Sequence, residues 1–124
     1  MSTVALLTIG CPTDEGIYIE DLMSIYNNSN KDVYFFRRGI DPILYEYPPT
    51  ESSIIFSNGF NKGKDNYRHV LRDGKRMYIW LFDKEVIDTT PWEEVVANDL
   101  YLIRYDLTLK DLEEMNWTIT YEGE

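Results

Sequence analysis

Apolar positions along this chain fall into short alternating or continuous runs and into short stretches with helical spacing, without a repeated unit. Val4-Ala5-Leu6-Leu7, within Thr3 to Ile9, predicts a first strand ended by Gly10-Cys11-Pro12-Thr13. Ile19, Leu22, Met23 and Tyr26 recur at i, i+3, i+4 and i+7, which predicts a helix stopped by Asn27-Asn28-Ser29-Asn30. The segment from Asp32 to Arg37, with Val33-Tyr34-Phe35-Phe36 at its centre, predicts a well-buried strand.

From Gly39 to Pro49 the chain reads as irregular, because Pro42, Pro48 and Pro49 remove backbone donors and bias the residues before them toward extended conformations. Thr50 is an N-cap candidate for a short helix from Glu51 to about Asn58, with Gly59 in the left-handed position that ends it. A second short helix is expected from Asp65 to Asp73, closed by Gly74. Arg76 to Phe82 is the strongest central strand. In Thr90-Pro91-Trp92-Glu93 a capping threonine, a proline at the first helical position and a glutamate three residues on predict a helix start. Leu100 to Leu107 and Asn116 to Glu122 read as strands, with Thr108 opening a helical turn between them. The pattern predicts an α+β fold: a single compact domain over residues 1–124, with a mixed or antiparallel sheet or sheets of about five strands and four or five short helices.

Charge narrows the function classes. The chain has 12 Lys and Arg against 22 Asp and Glu, a net charge of -10, which repels nucleic-acid phosphates and anionic membrane surfaces. Direct nucleic-acid binding and membrane binding are therefore not expected. The single cysteine, Cys11, rules out an internal disulfide and any multi-cysteine metal site, and no other metal-ligand cluster stands out. With no basic n-region ahead of the first apolar run and no span of transmembrane length, the expected compartment is the cytoplasm. His69, the only histidine, has no recognisable catalytic partner nearby in sequence.

One stretch carries a more specific signal. Arg37 and Arg38 end the Val33 to Phe36 strand; Pro48-Pro49-Thr50-Glu51-Ser52-Ser53-Ile54-Ile55-Phe56-Ser57-Asn58-Gly59-Phe60 follows, and then Tyr67-Arg68-His69-Val70-Leu71. This order resembles the front half of the ADP-ribosyltransferase domains of the pertussis and cholera toxin type. The resemblance implies NAD as substrate and a protein target as acceptor, with no metal. It assigns Arg37 and Arg38 to the NAD phosphates, a role suited to a planar guanidinium fork. It also matches Glu122-Gly123-Glu124 to the family's Glu-x-Glu, making Glu122 and Glu124 the catalytic carboxylates that stabilise the cationic sugar as the nicotinamide bond breaks. The family's Ser-Thr-Ser segment is absent, and Met77-Tyr78-Ile79-Trp80-Leu81-Phe82 stands in its place. Both an active transferase and a degenerate relative that only binds remain open on these residues.

A second reading comes from charge and size. Small acidic domains of this kind suit inhibitors or immunity-type proteins, including phage-encoded anti-defence or toxin-neutralising proteins, that block a basic functional surface of a partner. Asp14-Glu15, Glu20-Asp21, Glu93-Glu94 and Asp111-Leu112-Glu113-Glu114 would supply the charge, and the tyrosines with Trp80, Trp92 and Trp117 would supply anchors wherever they are exposed.

Overall fold

A computed structural model describes residues 22–39, 41–68 and 71–123, with residues 64–66 described by backbone alone. Its strands form two sheets. The first holds β1 (Leu22–Asn27), β4 (Phe60–Asn66) and β7 (Thr118–Tyr121) in the order β4-β1-β7; the second holds β2 (Val33–Gly39), β3 (Ile54–Ile55), β5 (Arg76–Asp83) and β6 (Ile103–Thr108) in the order β3-β2-β5-β6. In the first sheet β1 runs antiparallel to β4 and parallel to β7, so that sheet is mixed. All pairings in the second sheet are antiparallel. Among the described residues three short helices, α1 (Lys84–Thr89), α2 (Trp92–Ala97) and α3 (Leu109–Glu114), join these sheets in a single α+β domain.

Continuous apolar runs mark the second sheet because both of its faces are buried. Val33 and Phe35 of β2, with Met77, Ile79 and Leu81 of β5, face the first sheet and meet Met23, Ile25, Ile119 and Tyr121 in the main core. Tyr34, Phe36, Trp80 and Phe82 point the other way, where Val95 of α2, Trp92 and Tyr45 cover them. Phe36 lies at the centre of this second core, edge-on to Tyr45, Phe82 and Trp92 with ring centroids 5.0, 6.1 and 5.6 Å away. Edge-to-face contacts of this kind add about 0.5–1.5 kcal/mol per pair to the area they bury.

Three predicted helices take another form. Leu22, Met23 and Tyr26 lie on β1, in which Met23, Ile25 and Asn27 are fully buried and Tyr26 is exposed. A short window with apolar residues at 22, 23, 25 and 26 satisfies both periods, and pairing with strands on both sides decides for the sheet. The Glu51 to Asn58 helix shrinks to a 3-10 turn at Glu51–Ser53, after which Ile54 and Ile55 pair with Tyr34 and Val33. Thr50 there hydrogen-bonds the Ser52 hydroxyl and does not cap. The left-handed residue that follows is Asn58, with φ 64°, and not Gly59. Most of the expected 65–73 helix is replaced by the end of β4 and a tight turn in which Asp73 and Gly74 both have positive φ.

Other expectations held. Arg76 to Asp83 is the central strand and α2 begins at Trp92, although Pro91 occupies the N-cap position in place of Thr90. Thr108 opens α3 through a complete capping box: its hydroxyl accepts from the Asp111 backbone N–H, and the Asp111 carboxylate accepts from the Thr108 backbone N–H. The first predicted strand, Cys11 and His69 lie outside the described residues.

Candidate functional site

Alternation along β2 sends Arg37 and Arg38 to opposite faces of the second sheet. Arg38 goes to the face covered by the 41–47 segment: its Nη1 donates to the Ile43 carbonyl at 2.9 Å, and its guanidinium lies 4.9 Å from the centre of the Tyr45 ring. Both contacts are structural, and they hold the irregular segment against the sheet.

Arg37 faces the gap between the sheets, where a cleft of about 400 Å³ is lined by Phe35, Arg37, Ser52, Ser53, Asn61, Lys62, Gly63 and Tyr67, with Phe36 beside them. Its guanidinium lies between two rings, 5.3 Å from the centre of Tyr67 and 5.7 Å from that of Phe35. Its Nη1 is buried and has no hydrogen-bond partner among the described residues. A buried donor on a charged group without an acceptor is costly, and nearly all such groups in native proteins are satisfied. The neighbouring backbone also shapes the opening. A Cβ on Gly63 would lie 3.1 Å from the carbonyl oxygen of Met23, on the neighbouring strand of the same sheet, and at an ordinary contact distance of 3.6 Å from Arg37 Nη1, so glycine at this point of β4 permits the close approach of β1.

The lining reverses the sign of the chain's charge. In a protein with 22 acidic residues against 12 basic ones, the described residues of the cleft include two cations, Arg37 and Lys62, and no carboxylate. Ser52, Ser53 and Asn61 add neutral donors. Such a set fits an anion with several acceptor oxygens.

Of the two predicted carboxylates, Glu122 does not line this cleft. Glu122 is exposed just beyond β7, whose last residue, Tyr121, accepts a backbone hydrogen bond from Asn28. Between Met23, beside Gly63, and Asn28, the β1 path covers about 16 Å at roughly 3.3 Å per residue. The tail at Gly123 is nevertheless seated: its φ is 85°, and a Cβ there would fall 2.9 Å from Ser29 Cβ. Glu124 lies outside the described residues.

A polar knot ties the two sheets together at the far end of β1. Asn27 is fully buried; its Nδ2 donates to the Lys31 and Ile55 carbonyls at 2.7 and 3.0 Å, and its Oδ1 accepts from the Ser29 N–H and hydroxyl at 3.1 and 2.6 Å. Sequence reasoning took Asn27 for a helix stop. No local signal distinguishes an asparagine that ends an element from one buried at the end of a strand.

Of the proposed aromatic anchors, Trp80 and Trp117 are buried and Trp92 is half-buried in the second core. Glu93 and Glu94 are exposed on α2, whereas Asp111 serves the α3 capping box and Glu113 pairs with Arg68. Among the described residues, no group of three or more His, Cys, Asp or Glu is placed to hold a metal ion, and no helix is long and apolar enough to cross a membrane. Compared with protein-family models, curated proteins and solved structures, the chain matches none.

Proposed function

We propose that this domain binds a phosphate-bearing nucleotide, NAD first among them, in the cleft at Arg37, as a relative of the ADP-ribosyltransferases that binds without transferring. The observation that carries this reading is the orphaned Arg37 Nη1 in a lining whose described residues include two cations and no carboxylate. A phosphate oxygen at Nη1 satisfies the buried donor, Lys62 at the rim supplies a second charge, and the Ser52 and Ser53 hydroxyls reach the remaining acceptors. A cleft of this size lies within the range of about 300–1,000 Å³ typical of small-molecule sites. Transfer of ADP-ribose further requires a carboxylate beside the ribose. The described lining has none, so no transfer step is assigned to it.

Calorimetry with NAD, AMP and inorganic phosphate tests the reading. NAD or AMP is expected to bind and to raise the melting temperature by mass action. Indifference to all three at millimolar concentration retires it. Glu122→Gln is expected to leave NAD affinity unchanged; NAD cleavage that is lost in Glu122→Gln or Glu124→Gln would extend the reading to catalysis and place the tail carboxylates in it.

A second reading, an acidic domain that covers a basic surface of a partner protein, is supported by the net charge of -10.

A further inference from the structure

On the face of the second sheet opposite the Arg37 cleft, the 41–47 segment has no regular structure, yet it is fixed at several points. Arg38 donates to the Ile43 carbonyl, the Tyr45 hydroxyl donates to the Arg37 carbonyl at 3.1 Å, and Trp92 Nε1 donates to the Tyr45 carbonyl at 3.0 Å. Tyr47 stacks on Tyr45 with ring centroids 5.4 Å apart and meets the edge of Phe36 at 6.3 Å. So anchored, the segment still leaves Ile43 60% and Tyr47 59% exposed. Neither side chain is needed to close the second core, which Phe36, Phe82, Trp92 and Val95 fill.

Among the described residues, exposed carboxylates adjoin these two apolar side chains along the chain and across it: Asp41 and Glu46 lie within the segment, and Glu93 follows Trp92, which is hydrogen-bonded to Tyr45. Among the described residues that line the surface of this segment, Arg38 is the cation, and it is engaged with Ile43 and Tyr45. A rigid, exposed apolar pair inside an acidic rim combines low ordering entropy with selection for positive charge.

We propose that Ile43 and Tyr47 form the centre of a docking surface for a basic protein segment, in which apolar side chains of the partner cover the pair while its lysines or arginines meet Asp41, Glu46 and Glu93. The proposal rests on the second functional reading and is independent of nucleotide binding. It places the contact on the 41–47 ridge, away from the acidic α3 helix, where Leu112 is buried and Glu113 is already paired with Arg68.

The probe is a synthetic peptide of alternating lysine and leucine, with a lysine–serine peptide of equal length as the charge-only control. Both are titrated into the full chain at physiological ionic strength and followed by amide chemical shifts. The lysine–leucine peptide is expected to bind more tightly than the control and to shift the amides of Ile43, Glu46 and Tyr47. Ile43→Ser is expected to weaken it about tenfold, and Glu46→Lys to slow its association, with melting temperatures unchanged because both side chains are exposed. Shifts confined to α3, with Ile43→Ser silent, overturn this surface and leave the acidic-binder reading standing. Equal binding of the two peptides shows that charge alone is at work and also overturns it. Failure of both peptides to bind removes the surface and that reading together.

Discussion

Arg37 and Arg38 are adjacent in sequence and face opposite sides of the second sheet, so one guanidinium opens onto a cleft while the other fastens a surface segment. They cannot act as a joint phosphate fork. Each is instead tied to a different prospective function, and substitutions at the two positions are expected to separate cleanly.

Arg37→Met keeps the apolar stem and removes the unsatisfied donor. Loss of two ring contacts is set against relief of a buried, unpaired charged group, worth about 1–3 kcal/mol. The variant is expected to stay within about 1 kcal/mol of the parent in denaturant titration, or to exceed it, while nucleotide affinity falls at least about tenfold. Arg38→Met should do the reverse, loosening the 41–47 segment with nucleotide affinity intact. An Arg37→Met protein that unfolds far more readily would show that the guanidinium is structural.

Gly63→Ala tests the shape of the cleft. The added methyl meets a backbone carbonyl of β1, which its pairing with β4 and β7 holds in place, and it comes into ordinary contact with Arg37 Nη1. A loss of about 1 kcal/mol is expected, with weaker nucleotide binding than that loss alone would produce. Unchanged affinity would mean that ligands do not approach from the β4 side.

Asn27→Leu removes the four side-chain hydrogen bonds by which Asn27 holds the Lys31 and Ile55 carbonyls and the Ser29 N–H and hydroxyl. It takes a donor from the buried Ile55 carbonyl, and a loss of about 2–3 kcal/mol is expected. Thermal unfolding checks this directly; a change under about 0.5 kcal/mol would indicate that water replaces the side chain.

Stability should fall at both ends of the pH scale. The Asp111 carboxylate is held below its ordinary value first by the Thr108 backbone N–H and then by the Thr108 side chain. Its contribution is present above the unfolded carboxylate value and is lost as pH falls through the folded one. Tyr34 is shifted upward, first by burial and then by its hydrogen bond to Asp88 at 2.8 Å. The fold therefore favours the neutral phenol, and that contribution is lost as pH rises above about 10. Thr108→Ala should cost about 1 kcal/mol at neutral pH and flatten the acid limb; Tyr34→Phe should flatten the alkaline one. Limbs of unchanged steepness in these variants would assign the pH response to other groups.

Sequence alone determined the elements whose signals are local and redundant. The Arg76 to Phe82 run has no competing period, the Trp92 helix carries a proline and acids at its start, and Thr108 with Asp111 forms a capping box within four residues. It also placed both arginines at the end of the buried β2 strand. Tertiary pairing decided the rest. Leu22 to Asn27 and Ile54-Ile55 are too short for periodicity to separate helix from strand, and each became a strand because a neighbour's backbone offered hydrogen bonds. The cleft was equally illegible. It takes Arg37 from β2, Gly63 from β4 and the serines of the 51–53 turn, brought together from distant parts of the chain by the approach of two sheets. Local preference acts over a few residues, whereas burial and partner strands act through space, and only the latter bring those residues together.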